Sequence, residues 1–227
     1  MTHFIHTFLL TPLFFKRILP LVAVFVFVEV SSQNQKIDSL TSMLLGKPDS
    51  LQCDILYELA SQYSGIDNHK SLRYGEWAFK IAKMCGDSLR LVKAARVRSY
   101  SYRRLNDMDS SIILSSEMLT IARRNKYTTE LTAILNGLAY ANMHKAYYDK
   151  ALMYLFESLE LKNIGGDKFE ISVALHNIGF VYYKLGDPDK ALDYYQRALD
   201  LKNQIDNKYD LDVLLVFPLC ALGLGHD

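Results

Sequence analysis

Two histidines are the side chains in this sequence with the clearest capacity for metal chemistry. His144 and His176 fall in two neighbouring predicted helices, where their imidazole nitrogens could approach one another. A two-histidine metal site is one interpretation, but no carboxylate or thiolate lies in phase to complete it. The alternative is that both are surface residues on a binding face. We therefore predict no metal site.

Cysteine chemistry is limited by number and spacing. Cys53, Cys85 and Cys220 are an odd set without CxxC spacing, which argues against a disulfide framework or a zinc site. A disulfide between Cys53 and Cys85 is geometrically possible, because both are expected at the same end of one helix pair. The alternative is that each is a small hydrophobic residue.

The motifs of nucleotide binding and hydrolysis are missing from the sequence. It contains no GxxxxGK[ST], GxGxxG, GxSxG or HExxH pattern. The formal net charge of +1 argues against nucleic acid or an anionic membrane as the partner. We predict a non-enzymatic protein that needs no cofactor.

The elements that position these residues are read most clearly in the stretch from Ser172 to Asn203. Apolar and small residues at helical spacing predict one helix over Ser172–Leu185 and a second over Pro188–Leu201. Gly186-Asp187-Pro188 separates them, with a proline suited to the first turn of a new helix. The small residues predict two antiparallel helices in close contact; they are Gly179, Ala191 and Ala198.

The same pattern repeats every 40 residues. Stepping back from the second helix of that pair finds a small residue each time: Ala191, Ala151, Ser111 and Ser71. The first helices keep a second small position: Gly179, Ala139, Ser99 and Ala60. Copy two departs most, because Arg98 stands where Leu138 and Ile178 lie in later copies. Gly86 and Gly166, between copies, fit helix ends that need a left-handed residue.

From Leu175 to Ala198 the sequence resembles the tetratricopeptide repeat (TPR) family, in the 40-residue form found in bacterial regulators and adaptors. The resemblance implies an all-α fold, a right-handed solenoid of antiparallel helix pairs with about four repeats and a partial fifth. The predicted divisions are a signal peptide, a capping helix with linker, four repeats and the partial fifth: residues 1–32, 33–50, 51–87, 88–127, 128–167, 168–207 and 208–227.

The first 32 residues predict export. Lys16 and Arg17 precede the apolar run Ile18–Val28, and small residues up to Ser32 allow cleavage there. We expect a periplasmic or secreted protein with no membrane contact after cleavage. The alternative is an inner-membrane protein anchored by an uncleaved signal.

The last residues predict a broken fifth repeat. Pro218 falls inside its expected first helix, where it would cost about 3 kcal/mol. We expect a chain truncated or frame-shifted relative to a longer ancestor, with an apolar tail that favours self-association.

TPR resemblance implies that first helices line a concave groove. Residues 92–126 carry eight Lys and Arg against three Asp and Glu, a local charge of +5. Arginine forks bind carboxylates, so we predict a groove for an acidic or C-terminal peptide, unless these arginines are solvated and paired with neighbouring acids. The family's full carboxylate-clamp set is not matched. The groove candidates are Lys93, Arg96, Tyr100, Arg103, Arg104, Asn136, Tyr140, His144, His176, Asn177, Phe180, Tyr183 and Lys184.

Two functions fit this organisation. The first is a protein–protein interaction scaffold that binds a peptide or protein segment in the groove. The alternative is a truncated sensor, the input module of a bacterial signalling regulator whose kinase or DNA-binding output is missing. An output domain encoded beyond Asp227 would favour the second.

Overall fold

The computed structural model describes residues 35–43 and 49–205. The signal peptide, the Cys220 thiol and the partial fifth repeat predicted above lie outside the described residues. Within them the chain is helical, and no described helix is long and apolar enough to cross a membrane. The helices are α1 (35–42), α2 (Asp49–Tyr63), α3 (Asn68–Met84), α4 (Ser88–Arg104), α5 (Met108–Asn125), α6 (Thr128–His144), α7 (Tyr148–Gly165), α8 (Lys168–Leu185) and α9 (Pro188–Asn203).

The helices pack in consecutive pairs, and the all-α solenoid predicted from the repeat is confirmed. Each helix from α2 to α9 makes its most extensive contacts with a neighbour in the sequence, and α2, α4 and α6 also contact one another in order. The second helices begin at Asn68, Met108, Tyr148 and Pro188, 40 residues apart each time. Helix α8 starts one turn earlier than predicted, at Lys168, because Asp167 caps its first backbone N–H groups.

Short helix α1 covers the first pair, as expected for a cap. Ile37 is buried against Ile55 and Leu59 of α2. Residues 44–48, including Leu44, lie outside the described residues. Because an end repeat would otherwise leave its apolar face in water, this contact supports the capping interpretation.

Aspartates begin most of the helices. Asp67, Asp87, Asp107 and Asp187 each accept a hydrogen bond from a backbone N–H in the first turn of the helix that follows. The third pair differs, because tyrosines precede α6 and α7 and make no side-chain cap bond. The repeat therefore preserves the helix boundaries even where one copy lacks the preferred capping residue.

The turns between helices use left-handed backbone at positions spaced by the repeat. Gly86 and Gly166 have φ of 67° and 73°, which confirms the left-handed conformation predicted for them. The equivalent residue between α5 and α6 is Lys126 (φ 56°), and Ala146 (φ 57°) plays the same part between α6 and α7. The second and third copies thus place other residues where glycine would carry less strain.

Small residues let paired helices approach closely. A Cβ added at Gly179 would fall 2.9 Å from the Tyr195 ring and 3.1 Å from the Ala191 carbonyl oxygen. Ala191 and Ala198 are fully buried, as predicted. Helix α8 therefore rests directly on α9, with the ring of Tyr195 filling the space that the glycine leaves.

The disulfide alternative is not formed. Cys53 and Cys85 are both free thiols, the first buried and the second exposed. Cys53 Sγ donates to the carbonyl oxygen of Ala78 at 3.3 Å, and burial raises the pKa of its thiol to about 11. Cys53 is thus an unreactive core residue, which agrees with the alternative that it serves as a small hydrophobic side chain.

Gly179→Ala should destabilise the protein by about 1–3 kcal/mol, because its new methyl group would meet the Tyr195 ring and a rigid backbone carbonyl. The matched control is Gly165→Ala at the end of α7, where no atom lies within 4 Å of the added Cβ. Urea unfolding monitored by circular dichroism measures both variants. Equal stability of the two would contradict the close approach of α8 and α9.

Candidate functional site

A groove runs across the first helices of all four pairs. Its cavity is about 670 Å³, with walls from α2, α4, α6 and α8. Helix α4 contributes residues spaced by three or four positions, which places them on one helix face. The lining residues are Ser61, Ser64, Arg96, Val97, Tyr100, Arg103, Arg104, Ala133, Asn136, Gly137, Tyr140 and Asn177.

Seven of the thirteen predicted groove residues line this cavity. They come from three successive first helices: Arg96, Tyr100, Arg103, Arg104, Asn136, Tyr140 and Asn177. The other six lie outside it: Lys93, His144, His176, Phe180, Tyr183 and Lys184. The cavity therefore occupies the middle of the array, and its role in binding stays a prediction.

His176 packs into the fourth pair rather than lining the cavity. Its ring lies 5.3 Å from the Tyr195 ring, centroid to centroid, and its Nδ1 is buried without a hydrogen-bond partner among the described residues. Burial lowers the pKa of His176 and raises that of Tyr195 to about 12. His144 packs instead on Tyr140, at 4.5 Å. In the described ranges no three His, Cys, Asp or Glu side chains are grouped as a metal site would need.

Arg103 lies on the floor of the groove. Its Nη1 donates to Ser99 Oγ at 3.1 Å and, more weakly, to Ser111 Oγ at 3.4 Å. Its guanidinium carbon lies 5.5 Å from the Tyr100 ring centroid and 5.9 Å from that of Tyr140. A Cβ on Gly137 would be 2.7 Å from Nη1, so the guanidinium lies directly over this glycine and would have to shift to admit a side chain there.

A pit of buried serines receives the Arg103 guanidinium. Ser99 Oγ lies 2.8 Å from Ser111 Oγ and 2.6 Å from Ser115 Oγ, and all three side chains are buried. The fourth pair has Gly179, Ala191 and Tyr195 at the equivalent positions. A serine in place of the large Tyr195 leaves space, and the guanidinium enters that space from the groove side.

The groove arginines have no acidic partner in the part of the chain that the structure describes. Among residues 35–43 and 49–205, no carboxylate lies within 4 Å of Arg96, Arg103 or Arg104. Arg96 Nη2 donates instead to the hydroxyl of Tyr57. Partial burial lowers the pKa of Arg103, since desolvation disfavours the charged form. Within the described ranges, the acidic partners that the alternative expects for these arginines are not found, although Arg104 is exposed to solvent.

Arginines elsewhere on the same array do form ion pairs. Arg90 donates to both carboxylate oxygens of Asp54, at 2.8 and 2.7 Å, and also reaches Asp87. Arg123 of α5 forms a similar two-point pair with Glu157 of α7. Carboxylates of the described residues thus pair with arginines elsewhere on the array, whereas the three groove arginines have none within reach.

Sequence reasoning missed the residues that hold Arg103 in place. The repeat pattern predicts Ser99 and Ser111 only as small residues at helix contacts, and it gives no prediction for Ser115, Ala133 or Gly137. The sequence feature that indicates them is the second copy, in which serines replace apolar residues beside an arginine-rich helix face. Arg98 belongs to the same copy, but its stem crosses Gly75 and its guanidinium carbon lies 4.7 Å over the Phe79 ring, outside the groove.

Comparison with known proteins agrees with the helix-pair repeat. Residues 130–204 match the family model described as tetratricopeptide repeat. A comparison with curated protein sequences found no significant match.

Several solved structures share the fold at low sequence identity. BtubC (BKLC) from P. vanneervenii is 20% identical with a TM-score of 0.71, over 85% of this chain and 81% of that one. Aspartyl phosphate phosphatase F from Bacillus subtilis is 15% identical with a TM-score of 0.76, over 88% and 55%. The Rap conjugation gene regulator of plasmid pLS20, in complex with the Phr* peptide, is 18% identical with a TM-score of 0.65, over 78% and 49%.

The chain thus spans about half the length of the latter two proteins. At these identities the likeness establishes the fold and leaves function to the site itself. Residues 130–204 of this protein are thus similar to tetratricopeptide repeats, and its other described helix pairs continue the same fold.

Proposed function

We propose that this protein is a non-catalytic interaction scaffold that binds a peptide or protein segment in its concave groove. The observation that carries the proposal is the 670 Å³ cavity that crosses α2, α4, α6 and α8. Its volume lies in the range of pockets that enclose small ligands, so it accommodates a few side chains of an extended segment.

The composition of the groove supports a protein partner. Tyr100 and Tyr140 are 38% and 45% exposed, and aromatic and arginine side chains are those most often found at the energetic centres of protein interfaces. The amides of Asn136 and Asn177 add groups that can bond to a peptide backbone. The Rap regulator bound to the Phr* peptide has the same fold, which is consistent with this use.

A signalling input module is the second candidate. The observation that favours it is the likeness to a gene regulator of which this chain spans about half. On this proposal the groove binds the signal, and the response belongs to another domain or protein. The binding event is the same in both functions, so one experiment tests their common step.

A displayed library of random short peptides should yield binders to the purified chain, and Ala133→Trp should weaken their binding at least tenfold by filling the groove. Ser116→Trp places the same ring on an exposed position of α5, outside the groove, and should bind like the wild type. Failure to enrich any peptide, or equal binding by Ala133→Trp, would contradict the proposed function. Circular dichroism confirms that both variants fold.

We also propose that the protein is periplasmic or secreted. The support is the Lys16-Arg17 pair followed by an apolar run of signal-peptide length. N-terminal sequencing of protein recovered from a bacterial periplasmic fraction should begin at Gln33. Membrane-bound protein that retains Met1 would instead support the uncleaved anchor.

A further inference from the structure

Arg103 is a cation without an anionic partner in the described part of the chain. It is half-buried, its pKa is lowered by desolvation, and its only described hydrogen bonds go to neutral serine oxygens. Placing a charge in such surroundings is costly unless an opposite charge compensates it. A ligand group that supplies this opposite charge would therefore gain binding free energy by compensating the buried cation.

The guanidinium keeps most of its donors for such a group. Of its five N–H bonds, those on Nη1 serve Ser99 and Ser111, and no partner is found for Nε or Nη2 among the described residues. These nitrogens form a planar fork that matches two carboxylate oxygens. Arg103 is therefore able to take a carboxylate in two-point geometry while its other side stays in the serine pit.

The walls around Arg103 suit the same ligand. The Tyr100 and Tyr140 rings flank the guanidinium and can cover the apolar part of an acidic side chain. Asn136 Oδ1 accepts a hydrogen bond from Ser158 Oγ at 2.8 Å, which leaves the Asn136 amide nitrogen as a donor in the cavity. The groove thus combines one unpaired fork with donors and aromatic walls.

We propose that the groove anchors its peptide through a carboxylate bound to the Arg103 guanidinium, an inference that rests on the proposed function. The carboxylate belongs either to an Asp or Glu side chain or to the C-terminus of the peptide. Arg96 and Arg104 add attraction at longer range, but Arg96 is engaged by Tyr57 and Arg104 is exposed. Such outer charges are screened by salt, whereas the anchor is less so.

Ser99 acts on the ligand through Arg103 and is a positioning residue. It bonds simultaneously to Arg103 Nη1, Ser111 and Ser115, so it fixes the guanidinium at the groove floor. Without this bond the long arginine side chain samples other rotamers, and the fork is no longer pre-oriented. Ser99→Ala should therefore weaken binding less than loss of the arginine does.

The test uses a peptide from the display selection, made with each acidic residue replaced by its amide and with a free or amidated C-terminus. Isothermal titration calorimetry measures each form against wild type, Arg103→Met and Arg124→Met, the last being an exposed arginine of α5 that does not line the cavity. One carboxylate should contribute at least tenfold to wild-type affinity and nothing to Arg103→Met, while Arg124→Met should retain that dependence. Ser99→Ala should reduce the dependence severalfold.

The amide series distinguishes the two sources of the carboxylate and needs no variant protein. Equal binding of all amide forms, or an undiminished carboxylate dependence in Arg103→Met, would overturn the anchor while the proposed peptide binding stands. A selection that yields no peptide would overturn both.

Discussion

The close approach of paired helices at small residues is the constraint on which this structure depends. Where Gly179 meets Tyr195, even a single methyl group has no space on the glycine. The same contact recurs in the other pairs at Ala139, Ser99 and Ala60, all nearly or fully buried. Because each pair must close in this way, the helices keep a common spacing and the first helices lie side by side along one face.

Copy two satisfies this constraint with polar residues, which give the Arg103 guanidinium hydrogen-bond acceptors beside the groove. Serines at 99, 111 and 115 are small enough for helix contact, yet they present oxygens instead of a ring. Arg103 reaches those oxygens through the gap beside Gly137. A helix-packing position thus also holds a side chain that lines the cavity, and the departure from the repeat pattern coincides with the centre of that cavity.

The sequence predicted the fold well because helical spacing, helix breaks and a 40-residue period agree at every level. Proline at 188 and glycine at 86 and 166 placed helix boundaries that the structure confirms. The site was predicted only in part. Which first-helix residues share a cavity depends on how successive pairs stack. His176 lies outside this cavity because its ring packs against Tyr195 of the following helix. Whether Arg103 has an acidic partner depends on contacts between helices, which the spacing of residues in the sequence does not specify.

The most direct measurement of the central claim is the free energy of unfolding of Arg103→Met, since methionine occupies the equivalent position in the third pair, at Met143. If Arg103 is held for a ligand, replacing this uncompensated cation by an apolar side chain should leave the free protein as stable as the wild type or about 1 kcal/mol more stable. A loss of about 3 kcal/mol or more would show that the arginine is chiefly structural and would contradict the account.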